Sequence, residues 1–178
     1  MPRLFVALAV PEPIRTALDM ARGGLPGARW IDPGDYHITL TFIGDVDDAV
    51  ADRIADELSR VAAEPFDVTL PSYGAFAGDR KHSVHLQVER SEPLLRLHKA
   101  CNAAVAAAGV QPEARKYAPH ITVARLPKSA AASIAPWLDG RSYAGPRSFR
   151  AESFGLYTAA PSRGGGPYDE AVRYRLAG

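Results

Sequence analysis

The 178-residue sequence has very little cysteine: Cys101 is the only one. An intrachain disulfide is therefore impossible, and a framework of disulfides cannot stabilise the fold. Cys101 stands in the segment LHKACNAAVAAAG, whose apolar spacing is typical of a helix. Nothing in this context indicates an oxidising compartment, so the expected location is cytoplasmic.

Long apolar runs are also missing from the sequence. No stretch approaches the roughly 20 apolar residues of a membrane span, and no membrane association is expected. The N-terminal segment MPRLFVALAV has a basic residue, a short apolar run and Ala7-Leu8-Ala9, which are features of a secretory signal. The run stops at Pro11-Glu12-Pro13, however, and we interpret Leu4 to Val10 as a buried first strand.

The sequence has no excess of charge of either sign, with 21 Lys and Arg against 20 Asp and Glu. A net charge of +1 gives no overall basic field to hold a long polyanion, so any contact with nucleic acid must be local. This balance favours a small substrate or the end of a strand. The length and the ordinary 47% hydrophobic content indicate one compact domain over residues 1–178, which we expect to be a monomer.

Histidine is scarce, yet two of the five histidines precede the same Ile-Thr, as His37 in DYHITLTFIG and His120 in YAPHITVARLP. The two motifs lie 83 residues apart (120 − 37 = 83). Both stand in β-branched, strand-like segments. Since residues i and i+2 of a strand face the same side, His37 should lie beside Thr39 and His120 beside Thr122, with Ile38 and Ile121 facing the core.

The elements around the two motifs repeat in order, as they would after an internal duplication. The first half is predicted to form a strand, the helix EPIRTALDMAR, the strands ARWI and YHITLTFIG, the helix DDAVADRIADELSRVAA and the strand FDVTL. The second half is predicted to form the strand SVHLQV, a helix through Cys101, the second motif strand, the helical SAAASIAPWL and the strands FRAESFGLY and AVRYRL. We therefore expect an α+β fold of two pseudo-symmetric lobes. Each lobe would have an antiparallel-rich sheet with helices on its outer face, and the lobes would form a central cleft.

A cleft lined by two imidazoles and two hydroxyls has the groups for acid-base chemistry at an anionic centre. A neutral histidine can take a proton from water, a protonated one can give a proton to a leaving oxygen, and hydroxyls can hold phosphate oxygens. The substrate expected from these groups is a phosphodiester.

With these residues the sequence resembles the two-histidine phosphoesterases, and within them the bacterial RNA 2′,3′-cyclic phosphodiesterases, also called LigT-like 2′-5′ RNA ligases. The resemblance covers RLFVALAVPE, HITLTFIGDV, EPLLRLHKA, PHITVARL and GGPYDEAVRYRL, in that family's order. It implies opening of RNA-terminal or nucleotide 2′,3′-cyclic phosphates to 2′-phosphates without a metal or cofactor, and 2′-5′ joining of RNA ends. It also implies His37 as acid and His120 as base, with Thr39, Thr122 and Arg125 binding the substrate. Relatives often carry a tryptophan near His85, which this sequence lacks.

Arg125 presents a geometric problem, because it stands at the position that Phe42 occupies in the first motif strand. Strict alternation would turn Arg125 away from His120 and Thr122, so a bend or bulge at the strand end, near Pro127, is expected to bring it round. We expect its charge to keep His120 neutral and to leave His37, without such a neighbour, protonated.

The sequence also allows other functions, and it leaves the roles of several residues undecided. A metallohydrolase is disfavoured because the sequence has no H-E-x-x-H, but a non-catalytic nucleotide-binding module or a different small cyclic or 2′-5′ linked nucleotide substrate fits the same motifs. Tyr117 could stack on a base or pack internally. Arg80 and Lys81 could contact RNA phosphates, although a solvated loop is favoured. The sequence favours surface or strand-face positions for His82, His85 and His98, and a flexible hairpin loop for SRGGGPYDE.

Overall fold

The computed structural model describes residues 1–159 and 166–177, over which the chain forms ten strands and four α-helices. The strands are β1 (Arg3–Ala9), β2 (Arg29–Trp30), β3 (His37–Asp45), β4 (Phe66–Thr69), β5 (Tyr73–Ala77), β6 (Lys81–Gln87), β7 (His120–Pro127), β8 (Ser148–Ala151), β9 (Ser153–Ala159) and β10 (Tyr168–Arg175). The helices are α1 (Glu12–Met20), α2 (Asp48–Leu58), α3 (Glu92–Ala107) and α4 (Ile134–Asp139). None of the helices in the described ranges is long and apolar enough to cross a membrane.

The strands form two four-stranded antiparallel sheets and one two-stranded ribbon. The first sheet has the order β10-β9-β1-β3, the second has the order β2-β7-β6-β5, and β4 pairs with β8. The predicted α+β class with antiparallel sheets is therefore confirmed. One motif strand lies in each four-stranded sheet.

The first strand is buried on both faces, which explains its unbroken apolar run. Leu4, Val6 and Leu8 join the main hydrophobic core, which continues through both sheets and the helices. Phe5 and Ala7 point to the opposite face, where they pack against Ala159, Tyr157 and Tyr168. The segment interpreted as a strand and not as a signal sequence thus supplies core residues to two layers.

The longer helices begin at side-chain caps that the sequence provides. Asp47 accepts a hydrogen bond from the Val50 backbone N–H at 2.8 Å and so caps α2, while Ser91 caps α3 through the Leu94 N–H. The buried face of α3 includes Leu94, Leu97, Cys101, Ala104 and Val105, as the apolar spacing predicts.

The two lobes are not the two contiguous halves of the chain. The late strands β9 and β10 complete the sheet of β1 and β3, and the early strands β2 and β5 complete the sheet of β6 and β7. The ribbon of β4 and β8 lies on the pseudo-twofold axis, because Asp67 pairs directly with Arg150, its equivalent at the repeat offset (150 − 67 = 83). After this ribbon each half of the chain adds its next strand to the sheet of the other half's motif strand. β5 thus joins the sheet of β7, and β9 joins the sheet of β3.

Several element predictions needed correction. Strand β5 was not predicted because its sequence, YGAFA, is rich in glycine and alanine, which have low strand propensity. FRAESFGLY divides into β8 and β9 at Glu152. The last strand begins earlier than AVRYRL, at Tyr168, and a register shift between Glu170 and Val172 leaves Val172 exposed. The hairpin predicted for SRGGGPYDE falls partly on residues 160–165, outside the described part of the chain.

Candidate active site

The two H-I-T motifs start the strands β3 and β7 and alternate as the strand period predicts. Ile38 and Ile121 are fully buried in the core. The neighbouring histidines and threonines are half-buried on the opposite face. Both strands thus turn one imidazole and one hydroxyl away from the core, as expected.

Both imidazoles are oriented by the same backbone contact. Nδ1–H of His37 donates to the Asp35 carbonyl oxygen at 2.8 Å, and Nδ1–H of His120 donates to the Ala118 carbonyl oxygen at 2.7 Å. In the neutral ring this contact leaves the lone pair on Nε2. Nε2 of His37 lies 3.0 Å from Oγ1 of Thr39. Each ring therefore keeps Nε2 for proton transfer.

The environment lowers the pKa of both imidazoles below the usual 6.5. Burial is the largest cause for His37, and the charges of His120 and Arg125 lower its pKa further. Burial also lowers the pKa of His120, and the charge of Arg125 adds to that effect. The expectation that Arg125 acts on His120 alone is therefore wrong. Its charge favours the neutral form of both rings and does not by itself separate acid from base.

A bulge inside β7 brings Arg125 to the side of the motif. Thr122 pairs with His85 and Ala124 pairs with Val84, so Val123 is the extra residue. The bulge was predicted, although it lies in the middle of the strand and not at its end near Pro127. With the alternation shifted by one residue, Arg125 and Thr122 line the same cleft.

The first motif strand has the matching bulge. Thr39 pairs with Ala7 and Thr41 pairs with Val6, so Leu40 is the extra residue. Phe42 consequently lines the cleft at the position equivalent to Arg125 (125 − 42 = 83). The two halves of the site thus differ at this position, where one has the apolar ring of Phe42 and the other has the guanidinium of Arg125.

The central cleft has a volume of about 620 Å³ and contains Thr39, Thr122, His120 and Arg125 in its lining. The ring of His37 lines a smaller neighbouring cavity of about 180 Å³. There it packs between Phe5 and Tyr168, with ring centroids at 4.8 and 5.1 Å. His37 is connected to the large cleft by the contact of its Nε2 with Thr39.

The sequence interpretation missed an aromatic cluster beside His120. His85 is 4% exposed, stacks on Phe76 at 4.3 Å and lies 5.1 Å from His120. Burial, and after it the charge of His120, lowers the pKa of His85 to about 4. His85 is thus a strand-face residue, as interpreted, but not a surface one. Only the register of β6 against β7 reveals its place, because it faces Thr122 across the ladder.

Four of the other candidate residues line the cleft. Lys81, His82 and His98 line the cleft, as does Tyr117. Arg80 and Lys81 are both exposed, but only Arg80 lies in a loop as predicted, because Lys81 is the first residue of β6 and pairs with Pro127. Within residues 1–159 and 166–177, no three His, Cys, Asp or Glu side chains are grouped as a metal site would require.

The two antiparallel sheets exchange strands and each carries one H-I-T strand, whose threonines line one cleft. Residues 10–161 match the family model described as the 2′-5′ RNA ligase superfamily, and the chain belongs to that superfamily.

Sequence relatives agree with this assignment, and a solved structure shares the fold. A Bacillus subtilis (strain 168) protein named RNA 2′,3′-cyclic phosphodiesterase is 35% identical over 70% of this chain and 71% of its own length. An Archaeoglobus fulgidus protein of the same name is 30% identical over 70% of this chain and 72% of its own. Escherichia coli LigT, solved in complex with 3′-AMP, shares the fold with a TM-score of 0.78 and 24% identity over all of both chains.

Proposed function

We propose that the protein hydrolyses RNA-terminal 2′,3′-cyclic phosphates to 2′-phosphates, with His37 and His120 as general acid and base. The observation that carries this proposal is the pair of equivalent imidazoles, each with Nδ1 bound by a backbone carbonyl, which leaves Nε2 for proton transfer; in His37 this Nε2 lies 3.0 Å from the Thr39 hydroxyl. The names of the Bacillus subtilis and Archaeoglobus fulgidus relatives support the same substrate class.

The phosphate would be held by the two motif hydroxyls and the guanidinium. Thr39, Thr122 and Arg125 line one cleft, and hydroxyl and guanidinium groups donate hydrogen bonds to the non-bridging oxygens of a phosphodiester. The bulges in β3 and β7 support this assignment, because without the β7 bulge Arg125 would face away from Thr122. The bound anion would also raise the pKa of whichever histidine is protonated.

The hydrolysis needs two proton transfers, one from the attacking water and one to the leaving 3′-oxygen. Water attacks phosphorus and loses its proton to Nε2 of His120, while the bond from phosphorus to the 3′-oxygen breaks and that oxygen takes the proton from Nε2 of His37. The phosphate stays on the 2′-oxygen. This assignment of acid and base follows the family resemblance. The contact of His37 Nε2 with Thr39 is compatible with it, because the Thr39 hydroxyl can accept a hydrogen bond from Nε2–H when the ring is protonated and can donate one when the ring is neutral.

The two histidines would provide both proton transfers, so we propose that turnover needs neither a metal nor another cofactor. A 5′-hydroxyl of RNA in the place of water would give a 2′-5′ bond by the same displacement. Both H-x-T motifs come from one chain, and we propose that a monomer is sufficient for activity.

The nucleoside would lie against the exposed rings of the cleft. Phe42 is 47% exposed and Phe76 is 40% exposed, which is unusual for phenylalanine, and both line the cleft. Bases stack on such rings with little dependence on sequence, which suits an enzyme that acts on many RNA ends.

The test is incubation of the purified protein with 2′,3′-cyclic mononucleotides, cyclic-phosphate-ended RNAs and 2′-5′ linked dinucleotides. The phosphate position in the products is assigned by ³¹P NMR. Formation of 2′-phosphates from cyclic ends supports the proposal. Binding without turnover indicates a nucleotide-binding module, cleavage of 2′-5′ links alone indicates the other substrate class, and 3′-phosphate products contradict the mechanism.

A further inference from the structure

The bulge of β3 depends on two side chains for the hydrogen bonds on its outer side. The Tyr117 hydroxyl donates to the Thr39 carbonyl oxygen at 2.8 Å. Nδ1–H of His98 donates to the next carbonyl oxygen, that of Leu40, at 2.6 Å. Two successive carbonyls of the motif strand are therefore bound by rings and not by a neighbouring strand.

The equivalent bulge of β7 is held differently. Its extra residue, Val123, corresponds to Leu40 (123 − 40 = 83), and the Val123 carbonyl accepts from the Ile31 backbone N–H at 2.9 Å. Ile31 directly follows β2, which pairs with β7. In the described part of the chain, the order β10-β9-β1-β3 places β3 at the sheet edge. His98 and Tyr117 thus occupy the position that β2 occupies in the other sheet.

The two rings form a stacked pair that connects α3, the bulge of β3 and the segment before β7. They stack in parallel, with centroids 3.9 Å apart and an interplanar angle of 6°. One turn beyond His98 on α3, Asn102 accepts a hydrogen bond from the buried Thr41 hydroxyl at 2.7 Å. Tyr117 stands three residues before His120, so its hydroxyl ties the start of β7 to the bulge of β3.

We propose that His98 and Tyr117 are positioning residues, which replace an edge strand and fix the β3 bulge so that Thr39 and Phe42 face the cleft. This inference rests on the proposed function. It also favours packing over base stacking as the role of Tyr117. One face of the Tyr117 ring is covered by His98, and its hydroxyl donates to the Thr39 carbonyl oxygen.

The test compares variants that remove one hydrogen bond each and keep a ring in place. Tyr117→Phe and His98→Phe lose the donors to Thr39 and Leu40. Tyr143→Phe is the matched control, because the Tyr143 hydroxyl is buried and has no hydrogen-bond partner among the described residues. Steady-state kinetics on a cyclic-phosphate substrate are measured well below the melting temperature of each variant, together with amide hydrogen exchange at Thr41 and Phe42.

We expect kcat to fall about 10-fold in Tyr117→Phe and between about 10-fold and 100-fold in His98→Phe, because small misplacements of reacting groups have effects of this size. KM should change less than kcat. His98→Gln, which keeps an N–H donor, should recover part of the loss, and exchange at Thr41 and Phe42 should accelerate only in the variants with reduced kcat. Tyr143→Phe should match the wild type.

Unchanged kcat in both Phe variants, with the folded fraction intact, would overturn the inference. So would a rise in KM that depends on the base with kcat preserved, since that result would assign Tyr117 to base stacking. If the wild-type protein opens no cyclic phosphate, the proposed function fails separately, and hydrogen exchange then decides alone. Faster exchange in the two variants than in Tyr143→Phe supports the positioning role, and equal exchange refutes it.

Discussion

Replacing His37 by Ala is the most direct test of the roles that we assign to the two histidines. The loss of one proton transfer should reduce kcat by about 10²- to 10⁴-fold, or about 2.7 to 5.4 kcal/mol of transition-state stabilisation. Tyr168 and Phe5 pack against the ring of His37, so the substitution also leaves a space in that cluster. His37→Gln, which fills more of that space, is the control for this structural effect.

The pH dependence follows from the lowered pKa of both rings. A lowered pKa favours the neutral imidazole near neutral pH, which suits His120 as base and leaves only the minor part of His37 protonated in the free enzyme. The wild-type kcat/KM should therefore decline as the pH rises above the pKa of His37. The difference between the wild type and His37→Ala should be larger near pH 6.5 than near pH 8, because the variant has no acid to lose.

The decisive assay uses a cyclic substrate in which sulfur replaces the bridging 3′-oxygen. A thiolate leaves without protonation far more readily than an alkoxide, since its conjugate acid has a much lower pKa. This substrate should recover much of the activity of His37→Ala and little of that of His120→Ala, which still lacks the base. Recovery in His120→Ala instead would reverse our assignment, and full activity of either variant on the oxygen substrate would refute the two-histidine mechanism.

Three further outcomes are expected. Exhaustive chelation with EDTA should leave turnover unchanged, and a loss that Zn²⁺ or Mn²⁺ restores would establish a metal mechanism. Arg125→Ala should weaken substrate binding and move both limbs of the kcat/KM pH profile to higher pH, because the charge that lowers the pKa of His37 and His120 is removed. Phe42→Ala should raise KM through the loss of about 1–3 kcal/mol of stacking, with a smaller effect on kcat, and an unchanged KM for all bases would contradict the stacking role.

The local features of this protein could be predicted from its sequence alone. The apolar stripe of α3, the buried run of β1 and the alternation of His37-Ile38-Thr39 all follow from the periods of helix and strand, which depend only on neighbouring residues. The repeated tripeptide also identified both histidines as candidates. A bulge that turns Arg125 toward Thr122 was also expected, because the resemblance puts both side chains at the phosphate, but its position at Val123 was not.

Features that depend on contacts between distant segments could not be predicted from the sequence. The exchange of β5 and β9 between sheets, the burial of His85 beside His120 and the action of Arg125 on His37 arise from strand register and packing across the pseudo-twofold axis, which no local pattern encodes. The same is true of His98 and Tyr117. They are 19 residues apart in the sequence (117 − 98 = 19), and only folding stacks their rings and places them against the Thr39 and Leu40 carbonyls of β3.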